Sequence, residues 1–157
     1  MSDATPYRKK LIDVALPLEP INTEALRRKQ KAPKGFPTSF HKWWAQRPLA
    51  ACRAVIFASL VDDPSSWPEL YQTEPEQEKE RERIFTIIEE LVKWENSNNP
   101  GVLLKAQIEI ARSISRGRGD TMPEGADAIR RYISDYAPPV LDPFCGGGSI
   151  PLEAQRL

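Results

Sequence analysis

From residue 49 to 61 the chain reads Leu-Ala-Ala-Cys-Arg-Ala-Val-Ile-Phe-Ala-Ser-Leu-Val, with Arg53 and Ser59 as its polar positions. A stripe that is apolar on every side predicts a helix buried nearly all round over 48–61, with Pro48 in the first turn, where its missing N–H is no loss. The run is too short, and too interrupted by Arg53, to span a membrane. Amphipathic segments follow. Residues 75–95 have a charged first half and place Ile84, Ile87, Ile88 and Leu91 on one face of a second half. The Asn-rich stretch 96–99 breaks that helix, Pro100 restarts one, and Leu104, Ile108, Ala111 and Ile114 recur at helical spacing. A further helix over 125–136 aligns Ala128, Ile129, Tyr132 and Ile133.

The two ends are less regular. Residues 7–18 predict a short helix or strand, with Pro17 and Pro20 preventing a long regular helix. A short helix over 24–31, capped by Asn22 or Thr23, carries basic residues outward, and 31–38 is a loop. Arg116-Gly117-Arg118-Gly119-Asp120 predicts a flexible basic loop, either a nucleic-acid-contacting hinge or, more ordinarily, a connector between helices. Near the far end Pro138-Pro139 forces extended backbone into a short apolar run, so one strand is expected near residues 139–142, then a glycine-rich loop and a helix over 149–157.

Charge divides the chain more sharply than its net of zero suggests. Residues 1–53 hold 11 Lys/Arg against 4 Asp/Glu, residues 62–95 hold 4 against 11, and residues 96–157 hold 7 against 7. The basic front could lie along a phosphate backbone or be an ordinary solvated face, and charge alone leaves both open. Cys52 and Cys145 stand far apart, without metal-type spacing to the single histidine, His41, so two free thiols and no metal site are expected. With no membrane span or signal-peptide core, the expected location is the cytoplasm.

The chemistry concentrates in Asp142-Pro143-Phe144-Cys145-Gly146-Gly147-Gly148-Ser149. Glycines remove the Cβ atoms that keep a ligand from the backbone, and the following helix start offers unpaired N–H groups. No lysine follows, as a phosphate-cradling P-loop requires, and Pro151 leaves the dinucleotide fingerprint Gly-x-Gly-x-x-Gly incomplete. The octapeptide resembles motif I, Asp-Pro-Phe-x-Gly-x-Gly-Ser/Thr, of S-adenosylmethionine-dependent DNA amino-methyltransferases. Arg47-Pro48-Leu49 resembles the Lys-Pro-x-x-Leu end of their motif X. Trp43-Trp44-Ala45-x-Arg47-Pro48-Leu49-Ala50-Ala51-Cys52-Arg53, the stretch from Lys10 to Leu18, and Pro151-Leu152-Glu153-Ala154 together resemble large adenine-specific DNA methylases containing a Zn-ribbon, specifically their N-terminal domain of undefined function.

That resemblance implies S-adenosylmethionine as cofactor, held by Asp142, Pro143, Phe144, Gly146, Gly148 and Ser149, with Asp142 toward the methionine ammonium and Arg47 toward its carboxylate. Trp43, Trp44 and Lys42 are the nucleic-acid candidates, although core or interdomain packing is the more ordinary role for the tryptophans. DNA and the remaining methyltransferase domain, in cis or in a second chain, are the implied partners. The Asp/Asn-Pro-Pro-Tyr motif that receives the target amine is not in the sequence, so no catalytic residue is assigned. The expected fold class is α/β, the front fragment of a Rossmann-like methyltransferase, mostly helical with one strand. Its expected divisions are a basic segment 1–63 with the motif X-like helix, a helical insertion 64–137, and a cofactor-binding start 138–157. The implied function is the N-terminal part of an adenine-N6 DNA methyltransferase, inactive by itself. The alternative is a non-catalytic helical DNA- or partner-binding module of a restriction or phage-defence system.

Overall fold

The structure is a computed structural model that describes residues 8–30 and 48–157, with backbone alone for 28–30. Helices α1 (Leu11–Val14), α2 (Leu18–Gln30), α3 (Leu49–Leu60), α4 (Glu74–Val92), α5 (Pro100–Arg118), α6 (Ala126–Tyr136) and α7 (Ser149–Arg156) carry the architecture. Short 3-10 turns lie at Pro64–Ser66 and Trp94–Asn96. The central member is the helix that the apolar run predicts. Ala50, Cys52, Ala54, Ile56, Phe57 and Ala58 of α3 are buried, and α3 touches α1, α2, α4, α5 and α7. One side stays open: Val55 is 44% exposed and Ser59 is exposed beside it.

Around α3, α4 turns in the face that its spacing predicts, whereas α5, packed against α3, α4 and α6, turns in Val102, Ala106 and Ile110, and of its predicted face of Leu104, Ile108, Ala111 and Ile114 only Ala111 is buried. Ile84, Ile87, Ile88 and Leu91 of α4 meet Val102, Ala106 and Ile110 of α5 in one apolar cluster with Leu11, Ile21 and Leu157. Local chemistry fixes the ends. Thr73 and Glu76 form a reciprocal capping box at the start of α4, with the Thr73 N–H donating to Glu76 Oε2 at 3.0 Å. The Asn99 side chain accepts from the N–H groups of Gly101 and Val102 ahead of Pro100. The chain's front is tied to the end of α3 by a single antiparallel bridge, in which Leu11 N donates to Val61 O at 2.9 Å and Asp63 N to Lys9 O at 3.0 Å.

Three further expectations are corrected. The fold is helical rather than α/β: among the described residues there is no strand and no sheet, and residues 138–142 form no strand. Extended backbone becomes a strand only when a neighbour completes its hydrogen-bond ladder, and here Val140 and Leu141 lie 47% and 87% exposed with no such partner among the described residues. The Rossmann-like fold class is withdrawn on that observation. Second, α2 begins at Leu18, because Pro20 falls in its first turn, where N–H groups have no intrahelical partner to lose. Third, Arg116-Gly117-Arg118 is the last turn of α5 rather than a connector. The helix stops at Gly119, whose φ of 73° is the left-handed cap that a glycine adopts without steric cost.

Candidate functional site

The glycine-rich loop opens on a side-chain hydrogen bond, Phe144 N donating to Asp142 Oδ1 at 3.2 Å, which folds the chain back after Pro143. Gly148 N then donates to Cys145 O at 2.8 Å and closes the second turn. Gly146 and Gly148 hold φ values of 53° and 74°, where a side chain would be strained, and Gly148 leads directly into the first turn of α7. Nothing lies within 4 Å of where a Cβ on Gly147 or Gly148 would sit. The loop therefore offers bare backbone, an exposed Cys145 thiol and the Oδ2 side of Asp142 to whatever approaches it.

What holds this loop in place is buried behind it. Arg53, 1% exposed in the middle of apolar α3, donates from Nε to Glu153 Oε2 at 2.5 Å and from Nη2 to Glu153 Oε1 at 3.2 Å. Its remaining donors reach Leu91 O at 2.7 Å and Ser97 Oγ at 3.0 Å. Glu153, fully buried in the helix that the loop leads into, also accepts from Arg156. The fork-to-fork geometry fixes the separation and the rotation of α7 on α3 at once. It also ties the loop helix to the C-terminal end of α4. Sequence reasoning singles out neither partner as functional. The signal that could have found them is an arginine within an apolar run, which demands a buried carboxylate somewhere in the chain.

Beside the loop, between α3 and α7, lies a groove of about 440 Å³ lined by Pro48, Ala51, Val55, Ser59, Val140 and Ile150. It is apolar, and the buried Cys52 thiol opens on it. Val140 and Ile150, on either side of the loop that holds Asp142, Pro143, Phe144, Gly146, Gly148 and Ser149, line this groove together with Pro48 of α3. Arg47, Trp43, Trp44, Lys42 and His41 lie outside the described residues. Cys52 and Cys145 are both free thiols, as expected. Among the described residues no helix is long and apolar enough to cross a membrane.

Residues 15–87 match the family described as "Protein of unknown function (DUF1156)". The match takes in α2, α3 and most of α4 and stops well before Asp142, so it does not bear on the glycine-rich loop. Comparison with curated proteins and with solved structures returned no match.

Proposed function

We propose that the chain is the N-terminal part of an S-adenosylmethionine-dependent DNA methyltransferase acting on adenine N6, supplying a helical scaffold and one side of the cofactor site. The observation that carries the reading is the Arg53–Glu153 pair. It packs together two helices, one following the stretch that resembles motif X and the other following the stretch that resembles motif I.

The loop's chemistry fits the methionine end of such a cofactor. Asp142 can accept from an ammonium with the oxygen that Phe144 N leaves free, and the backbone from Gly146 to Gly148 has no Cβ to exclude a ligand. Arg47 remains the side-chain candidate for the methionine carboxylate. The groove does not fit a charged group, since Ser59 is its one hydroxyl and already donates to Val55 O. When bound, S-adenosylmethionine supplies a methyl group on a sulfonium sulfur. This chain's part is to hold and orient, because the tetrapeptide that would receive an adenine amine is not in the sequence.

Titration calorimetry of S-adenosylmethionine into the protein tests the assignment. Asp142→Ala and Gly146→Val are each expected to weaken binding at least about tenfold, the scale of one lost charge-assisted hydrogen bond or one blocked backbone approach. Unchanged affinity in both variants, or no binding by the unaltered protein, removes the cofactor assignment. A second reading, a helical partner-binding module, is favoured by Leu141 and Phe144, which are 87% and 85% exposed and suit a protein surface. Loss of the cofactor result would leave that reading in its place.

A further inference from the structure

The chain's front crosses the C-terminal end of α5 and leaves a furrow. A cavity of about 340 Å³ lies between Arg8, Lys10, Gly117, Arg118 and Tyr136. A second, of about 490 Å³, continues past Arg8 along Lys9, Ser65, Ser66 and Glu69. Trp67 forms the floor. The Arg8 guanidinium lies 4.5 Å from its ring centroid and the Arg116 guanidinium 5.9 Å, so two cations lie over one aromatic ring. Arg8 reaches this position across bare backbone: a Cβ on Gly117 would stand 3.0 Å from Arg8 Nη1.

Five cations line the furrow or its floor, and two are neutralised in place. Lys10 Nζ is paired with the buried Asp62 at 2.6 Å and Arg118 Nε with Asp120 at 2.6 Å. Arg8, Lys9 and Arg116 have no carboxylate at ion-pair distance among the described residues, and Glu69 is the remaining acid along the furrow. The end of α5 adds roughly half a negative charge, which three free cations exceed. A guanidinium whose face is on a ring keeps its N–H edge for an in-plane, two-point acceptor such as a phosphate. Beside them Tyr136, 45% exposed, carries the Arg118 guanidinium at 4.1 Å and sits 4.8 Å from Tyr132. That supplies an aromatic surface next to the charge, which an acidic peptide does not need and an unpaired base can use.

We propose that this furrow seats a phosphodiester backbone, with Arg8, Lys9 and Arg116 on successive phosphates and the Tyr132–Tyr136 pair beside a base. The naming of DNA as its source rests on the methyltransferase reading. The site itself does not involve the glycine-rich loop.

Fluorescence anisotropy with a labelled single-stranded DNA, a duplex and an RNA of equal length, between about 50 and 200 mM salt, measures it. The unaltered protein is expected to bind single-stranded DNA best. Arg8→Ala with Arg116→Ala should weaken binding at least about tenfold and lower the salt slope by about 1.4, two contacts at ~0.7 each. Lys9→Ala, on an exposed side chain with nothing to unfold, should lower it by about 0.7. The pair Lys79→Ala and Lys105→Ala, on other faces, should change neither. Unchanged affinity and slope in both furrow variants overturns the proposal, and so does equal displacement by poly-glutamate, which would make this an acidic-peptide site. RNA bound more tightly than DNA overturns the naming of DNA. Asp142→Ala should leave DNA binding intact, and the furrow variants should leave cofactor binding intact, so the two readings fail separately.

Discussion

Arg53→Met is expected to cost about 3–5 kcal/mol of folding stability, because it strands the Glu153 carboxylate without its main partner in a site with no solvent access. At this chain length that corresponds to a fall of roughly 6–20 °C in Tm. Glu153→Leu should cost a similar amount by stranding the guanidinium, although Leu91 O and Ser97 Oγ remain to it. The informative variant combines Arg53→Met with Glu153→Leu. Two apolar side chains of matching volume remove both desolvation costs, so the double variant should lie within about 1 kcal/mol of the unaltered protein, far above the sum of the singles. Thermal or denaturant unfolding of the four proteins checks it. Additive losses would mean that the two groups are not coupled and that α7 is held by its apolar contacts alone.

The second large effect belongs to Asp63, which is fully buried and accepts from Arg81 Nε at 2.9 Å, Arg81 Nη2 at 3.1 Å and Ser65 N at 2.9 Å. Burial pushes this carboxyl upward, but the hydrogen bonds from Arg81 and Ser65, with the nearby positive charge, outweigh it and hold the group below its ordinary range. The sign follows from the direction. A carboxyl depressed in the folded state contributes stability that is complete above the unfolded value near pH ~4 and is lost as pH falls through the folded value. Asp63→Asn should therefore cost about 2–4 kcal/mol at about pH 7 and flatten the acid limb of the stability curve below about pH 4. Urea unfolding at several pH values reads both. An acid slope in the Asp63→Asn protein equal to that of the unaltered one would mean that Asp63 is not held low.

Much of the helical frame is legible in the sequence because each helix is specified locally. The apolar run of α3, the Ile84-to-Leu91 face of α4 and the Asn99-Pro100 start of α5 need no distant information. The errors fall where structure depends on a partner. The run at 139–142 has the composition of a strand, but strand formation is decided by a neighbouring ladder that the described residues do not provide. Gly117 and Gly119 suggest a connector, whereas one glycine is tolerated inside α5 and the other caps it. Within the candidate site, the bare loop at 142–149 is readable from its glycines. Its anchor is not, since nothing near Arg53 in sequence points to Glu153, 100 residues on. The Asp63–Arg81 pair and the Trp67 floor of the furrow escape the sequence for the same reason.

The proposed cofactor site has the glycine-rich loop and the Pro48 end of α3 as one side, on helices joined by Arg53 and Glu153. Amide hydrogen exchange with and without S-adenosylmethionine addresses it directly. The expected result is slowed exchange at 144–152 and at 49–55 when the cofactor is added, with no change at 84–91 or 102–114. Protection confined to those last two segments, or none at all, would contradict it.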